Sequence, residues 1–213
     1  MTLDKKRSPL GHRNSLGDAN GRIAIAEAPF LAMVQVRGTP DDVANAVRDV
    51  TDLELPDTAG TCARSGETSV IWLSPDEWVI IGAPHGEHAI VDGLSAALGN
   101  HHAQVVNVSD YFTTIRLAGP GARDVLAKIV MHDLHPRAFS KGHAIATLLG
   151  HAGGWLEMTD DETGGGPAFQ IYVRRSMADY LWCLLADGGR EFGLPLQEPI
   201  GREKLHLPHF EGA

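Results

Sequence analysis

LAGPGARDVL, residues 117–126, is the stretch on which the reading turns. Two glycines flank Pro120, and an apolar run follows. Such a stretch is either a glycine-rich loop that cradles a phosphate or the turn from a strand into a helix. A P-loop needs G-x-x-x-x-G-K-[ST], with its lysine reaching the terminal phosphates. Here Ala122-Arg123-Asp124 follows Gly121, with no Lys-Ser/Thr pair. The dinucleotide fingerprint needs G-x-G-x-x-G, and Asp124 stands where the third glycine belongs. A carboxylate in a first helical turn repels a pyrophosphate but suits the helix dipole. The stretch therefore predicts strand, turn and helix. Gly119 ends the strand, Pro120 starts the turn, and Gly121 lets the helix approach the sheet closely.

Working outward, Thr113–Ala118 reads as the strand and Ala122–Val130 as the helix, apolar at Val125, Leu126, Ile129 and Val130. A weak echo lies earlier in the chain. VQVRGTPDDVANAV (Val34–Val47) aligns with IRLAGPGARDVLAKIV (Ile115–Val130). VIIGAPHGEHAIVDGL (Val79–Leu94) aligns with FQIYVRRSMADYLWCLL (Phe169–Leu185). The first half reads as strands Ile23–Ala26 and Ala32–Val36, then a helix capped by Thr39 with Pro40 at its first position. The polar stretch Leu55–Thr68 is a loop. VIWLSPDEWVIIG (Val70–Gly82) is a hairpin around a type I turn at Ser74-Pro75-Asp76-Glu77, and His88–Leu98 is a helix. The second half adds strands Gln104–Val108, Ala144–Leu149, Trp155–Met158 and Ala168–Val173. Its last helix, Ala178–Leu185, has Ser176 as cap. Each half is strand, helix, strands, helix, and each must cover its sheet with its own helices. The fold class is α+β, as two similar ferredoxin-like units packed together. The limits are a polar arm at 1–20, units at 21–103 and 104–195, and a tail at 196–213.

The bulk chemistry narrows the function. The chain has 213 residues, 43% of them apolar, enough to bury a core without staples. Its formal charge of −9 argues against nucleic acid, where an electropositive face must release counterions, and against an anionic membrane surface. No apolar run approaches the roughly 20 residues of a membrane span, and the N-terminus lacks the apolar core of a secretory signal. Cys62 and Cys183 form no C-x-x-C or disulfide framework. Reduced thiols in a cytoplasm are expected.

No constellation of catalytic residues stands out. The histidine pairs His85/His88, His101/His102 and His132/His135 lack the further ligands a zinc site needs and read as surface histidines. There is no G-x-S-x-G elbow, and Cys183, between Trp182 and Leu184, reads as a core thiol. Asp160-Asp161-Glu162 before Gly164-Gly165-Gly166 reads as an acidic hairpin tip. Trp72 and Trp78 bracket the hairpin turn, and Tyr180 and Trp182 sit beside Arg174 and Arg175. Trp, Tyr and Arg dominate protein interfaces, so Trp72, Trp78, Arg174, Arg175 and Tyr180 are the candidate subunit-interface residues. Both tails read as poor core material, equipped for docking.

The motifs carry a resemblance. NVSDYFTTIRLAGPGARDVLAKIVMHDL (Asn107–Leu134) resembles the D-x-S segment, strand, glycine turn and helix of the glycine-cleavage T-protein superfamily, a group of folate-binding folds. RSPLGH (Arg7–His12), WLSPDEWVIIG (Trp72–Gly82), DLHPRAFSKG (Asp133–Gly142) and YVRRSMADYLWCLLADGGREFGL (Tyr172–Leu194) together resemble the gamma subunits of bacterial heterotetrameric sarcosine oxidases. The resemblance implies a T-protein (aminomethyltransferase)-like fold and a subunit packed against large alpha and beta subunits and a small delta subunit. It implies oxidative demethylation of sarcosine by the assembly, giving glycine and hydrogen peroxide, with tetrahydrofolate as co-substrate taking up the one-carbon unit. FAD, NAD and covalent FMN are expected in alpha and beta and zinc in delta, with no cofactor in this chain. The T-protein pattern has Asp where Asn107 stands, and an amide cannot act as a carboxylate base. No catalytic residue is expected here. The alternative is a folate-binding or one-carbon transfer protein acting alone; an adaptor related to the folate-binding iron–sulfur assembly factors is weaker, since their cysteine motif is not evident.

Overall fold

The computed structural model describes residues 6–17, 21–161 and 165–197. Two antiparallel sheets lie face to face, with helices on the two outer faces.

The smaller sheet is built from β3 (Leu31–Arg37), α1 (Pro40–Thr51), β4 (Cys62–Ser65), β5 (Thr68–Ser74), β6 (Glu77–Pro84), α2 (Glu87–Leu98) and β7 (Gln104–Asn107). Its strand order is β4-β5-β6-β3-β7. The larger sheet uses β1 (Leu16–Gly17), β2 (Ala24–Ala28), β8 (Phe112–Ala118), β9 (Ala144–Leu149), β10 (Ala152–Asp161) and β11 (Pro167–Arg174), in the order β1-β2-β8-β11-β10-β9. Its helices are α3 (Ala122–Ala127) and α4 (Ala178–Gly188).

The two sheets share one plan. The row β5-β6-β3-β7 in one matches β10-β11-β8-β2 in the other, and β4 and β9 are the added strands outside β5 and β10. The repeat is permuted. The strand that completes the larger sheet, β2, comes from the start of the chain. The strand that completes the smaller sheet, β7, follows residue 103, across the sequence boundary between the units.

Apolar periodicity explains the layers. Val43, Val47, Leu94 and Leu98 of α1 and α2 meet Val34, Val36, Trp78 and Ile80 of the smaller sheet. Val125, Leu126, Leu181 and Leu185 of α3 and α4 meet Ile115, Leu117, Leu156 and Ile171 of the larger. Between the sheets lie Met33, Ile71, Val79, Ile81, Ala144, Trp155 and Tyr172. Strands buried on both faces read as continuous apolar runs, as VIW and WVIIG do. Among the described residues no helix is long and apolar enough to cross a membrane.

The turn at Gly119 is closed by the chain itself. The Gly119 amide donates to the Pro167 carbonyl (3.1 Å), Gly121 to Arg22 (2.9 Å) and Ala122 to Gly119 (2.9 Å). These three amides are spent within the chain rather than offered to a phosphate. Gly119 has φ +116°, and a Cβ would lie 2.7 Å from the Arg22 carbonyl oxygen. Gly121 is small for a different reason than its sequence suggests: a Cβ would meet the Phe192 ring at 2.9 Å, so it admits the C-terminal segment rather than the sheet.

Several limits differ from the sequence reading. The 55–68 stretch contains β4, hidden because its sheet-facing residues, Cys62 and Arg64, are not a run of aliphatics. The helix expected to reach Val130 stops at Ala127, because Val130 forms a bridge to Leu149 and Ile129 accepts from the Gly150 amide. Ser176 is not a cap: it lies within a 3-10 turn, Arg175–Met177, and Met177 precedes α4. The N-terminal arm is not poor core material. Leu10 is 1% exposed, and Arg13 grips Asp179 of α4 through two hydrogen bonds of 2.8 and 3.0 Å. Of the acidic tip read at 160–166, Asp160 and Asp161 belong to β10, paired with Ala168 and Pro167, while 162–164 and the tail from 198 lie outside the described residues.

Candidate functional site

Two places concentrate polar chemistry: an open groove at one end of the sheet sandwich, and a buried network in its middle.

The groove has a volume of about 1090 Å³ and is lined by Gln35 and Asn107 on the smaller sheet's side and by Phe112, Trp155 and Arg174 on the larger sheet's side. Asn107 ends β7. Its Oδ1 accepts from the Ser109 amide (3.0 Å) and the Ser109 hydroxyl (2.7 Å). The Ser109 Oγ in turn accepts from the Met33 amide (2.9 Å). The N-V-S motif thus makes a side-chain-to-backbone turn and ties it to β3. On the groove's rim, the Arg174 guanidinium lies 5.2 Å from the Tyr111 ring centroid, a cation–π contact. Asp110 is paired with Lys6 of the arm at 3.1 Å, and that hydrogen bond raises the lysine's pKa.

The buried network centres on Glu157 of β10, which is 0% exposed. Arg64 of β4, from the other sheet, donates Nε to Oε1 (2.7 Å) and Nη2 to Oε2 (2.9 Å). Ser69 donates to Oε1 (2.8 Å), and Tyr172 donates to Oε2 (2.5 Å). Burial works against the Arg64 charge, but the hydrogen bonds and charge of Glu157 outweigh it and hold the guanidinium's pKa above its ordinary value. Burial, then the Glu157 charge, pushes Tyr172 well above the usual phenol range. The same causes push the Cys62 thiol up to about 12. Burial also raises Cys183. Neither thiol is an activated nucleophile, because the thiolate is the reactive species. Glu157 has its charge matched and both oxygens occupied, so it is a latch between sheets rather than a base.

The sequence candidates are dispersed. Trp78 is 1% exposed, donates its indole N–H to the Pro56 carbonyl (2.7 Å), and has no surface to offer a partner. Trp72 is half-buried against the same core. Arg174 lines the groove. Arg175 donates to the Arg7 carbonyl and so holds the arm. Tyr180 is 37% exposed and accepts from the His151 amide (3.1 Å). His85 stacks on Phe30, and His101 pairs with Asp42. Among the described residues no group of three or more His, Cys, Asp and Glu converges as metal ligands do. The Glu157 network was not anticipated. Its one signal was a charged residue alternating within the apolar strand Trp155-Leu156-Glu157-Met158.

The two matching α+β units, the second completed by β2 from the start of the chain, place the chain in the aminomethyltransferase T-like fold class. The glycine-cleavage aminomethyltransferase T of Bartonella henselae superposes with a TM-score of 0.61 at 14% identity, over 81% of this chain and 47% of that one, a likeness of fold alone. Residues 37–191 match the sarcosine oxidase, gamma subunit family. The gamma subunit of sarcosine oxidase from an Arthrobacter species is 36% identical over 89% of this chain and 93% of its own length. A chain of the heterotetrameric sarcosine oxidase from Corynebacterium sp. U-96 superposes with a TM-score of 0.77 at 27% identity, over 92% of this chain and 99% of that one. The chain belongs to the sarcosine oxidase gamma subunit family.

Proposed function

We propose that the chain is the non-catalytic structural gamma subunit of a heterotetrameric sarcosine oxidase, assembled with alpha, beta and delta subunits in the cytoplasm. The assembly demethylates sarcosine oxidatively to glycine, with release of hydrogen peroxide and transfer of the one-carbon unit to tetrahydrofolate. FAD, FMN, NAD and zinc belong to the partner subunits. The observation that carries this reading is the likeness to a chain of a heterotetrameric sarcosine oxidase over 99% of that chain's length. The chemistry of the two polar sites supports it. Asn107 offers an amide spent on Ser109, and the Glu157 carboxylate is locked by Arg64. Neither is a free acid or base within reach of a substrate.

Co-expression with alpha, beta and delta chains tests it. The expected result is co-purification in one complex whose oxidase activity or stability falls without this chain. A chain that never co-purifies, with oxidase activity unchanged in its absence, overturns the reading. The fold shared with an aminomethyltransferase T raises one rival, a folate-binding protein acting alone. Calorimetry of the isolated chain with tetrahydrofolate separates the two: micromolar binding would favour the rival.

A further inference from the structure

The groove exists because one sheet overhangs the other. By strand alternation Gly153, Trp155 and Glu157 share the inner face of β10. Register places Ala146 and Tyr172 beside Trp155, Leu148 beside Gly153, and Arg174 beside Phe112. At the Glu157 end this face is covered by the smaller sheet. At the Gly153 end it is bare. Trp155 is buried at 8% exposure, but Leu148 is 58% exposed, and a Cβ built on Gly153 meets nothing within 4 Å. A smooth apolar shelf therefore runs from Trp155 to the sheet edge at β9.

The charge on that shelf is unbalanced. Asp110 is neutralised by Lys6. Arg174 stacks on Tyr111, itself 50% exposed, and among the described residues it has no carboxylate partner. In a chain of net charge −9 a cation held on an aromatic ring at a groove rim awaits an anionic group. At about 1090 Å³ the groove exceeds the roughly 300–1,000 Å³ of clefts that enclose small molecules. Its floor continues onto the exposed Leu148 of β9. Both features suit a length of polypeptide better than a compact ligand.

We propose that this overhang is the seat of an extended segment of a neighbouring subunit, which sets an acidic side chain against Arg174 and an apolar one over Trp155 and Leu148. The inference rests on the gamma-subunit reading above and names the surface by which that subunit is held. Aromatic and arginine anchors around a desolvated pocket are where interface energy concentrates.

The test uses the co-expressed complex. A benzophenone photocrosslinker is placed at Leu148, with a control at the exposed Asp49 of α1, outside the groove, and Arg174→Glu and Arg174→Lys are made separately. The expected results are a Leu148 crosslink to a partner-subunit peptide containing Asp or Glu, and none from Asp49. Arg174→Glu should weaken recovery of the complex by about tenfold or more, as reversal of an interfacial charge does. Arg174→Lys should retain most of it. The melting temperature of the free Arg174→Glu chain should be unchanged, since the side chain is exposed. If the complex assembles but Leu148 crosslinks to a second copy of this chain, to residues 198–213, or to nothing, the groove inference falls and the subunit reading stands. Normal assembly of Arg174→Glu has the same meaning. If the unmodified chain never joins the complex, the subunit reading itself falls, and this inference with it.

Discussion

Replacing Arg64 with methionine keeps most of the side-chain volume but removes the cation that faces Glu157 across the sheets. The carboxylate loses hydrogen bonds of 2.7 and 2.9 Å and keeps those from Ser69 and Tyr172. Glu157 is fully buried and the Arg64 side chain is 13% exposed, so little solvent screens the change. Stranding one partner of a buried pair costs about 3–5 kcal/mol. A domain's whole stability is about 5–15 kcal/mol. For a chain of this size each kcal/mol shifts the melting temperature by about 2–4 °C, so a fall of roughly 6–20 °C is expected. Urea unfolding of the full chain followed by tryptophan fluorescence, beside calorimetry, measures it. The double variant Arg64→Met/Glu157→Gln removes both charges, keeps an acceptor oxygen for Ser69, presents an N–H that the Tyr172 hydroxyl oxygen can accept while that hydroxyl donates to Gln170, and should regain most of the loss. The Cys62 thiol supplies an independent readout. With its pKa at about 12, roughly one molecule in ten thousand carries the thiolate at pH 8. Burial is the main cause, the Glu157 charge adds to it and the Arg64 charge opposes it, so alkylation of Cys62 should speed up in Glu157→Gln. A loss below about 1 kcal/mol for Arg64→Met, the size of a surface pair, would refute the latch. So would a double variant no more stable than the single.

Gly119→Ala forces a Cβ to 2.7 Å from the Arg22 carbonyl at φ +116°, and the strained backbone alone costs on the order of 1–3 kcal/mol; an unchanged urea midpoint would show that the turn is slack. Asp179→Asn should free the N-terminal arm, seen as lost hydrogen-exchange protection across residues 6–17, and unaltered protection would contradict the clamp. Burial opposes the Asp179 charge, but hydrogen bonds from Arg13 and His12 prevail and hold its pKa below the ordinary carboxylate value. The arm's grip through Asp179 should therefore be complete above that ordinary value and fade as pH falls through the lowered one, a loss absent from Asp179→Asn over about pH 5 to 2.

The layered fold was legible wherever apolar periodicity was strong. VIWLSPDEWVIIG and its flanking helices fell where the pattern put them, and the Ser74–Glu77 turn closes the β5–β6 pair after a one-residue bulge between Trp72 and Ser74. Permutation was not legible. Nothing local in Ala24–Ala28 distinguishes a strand that pairs with β8, far ahead in the chain, from one that pairs with its neighbour β3, because register is settled by tertiary contact. The β4 strand was missed for a related reason: its inward residues answer a single buried carboxylate, and the charge match spans residues 64 and 157. Arg174 was singled out from residue type alone. Its place on a bare shelf depends on how far one sheet outruns the other, a quantity no local pattern encodes.

The permuted repeat also fixes how the groove is held. The backbone crosses from the larger sheet to the smaller between Ala28 and Leu31, and returns between Asn107 and Phe112. The Ser109 hydroxyl, in the second crossing, accepts from the Met33 amide just past the first, and the Val108 amide donates to the Met33 carbonyl (2.9 Å). The second crossing is thus bonded to β3 just beyond the first, and its Asn107, Val108 and Phe112 line the groove. Each sheet needs a strand from the opposite end of the repeat, so opening the groove means breaking strand pairing on both sides, not swinging one unit about a linker. The arm adds a third tie, since Lys6 reaches both Glu87 of α2 and Asp110 beside the groove. A surface held this way loses little conformational entropy when a partner settles on it. Rigidity at the groove mouth is the property this topology secures.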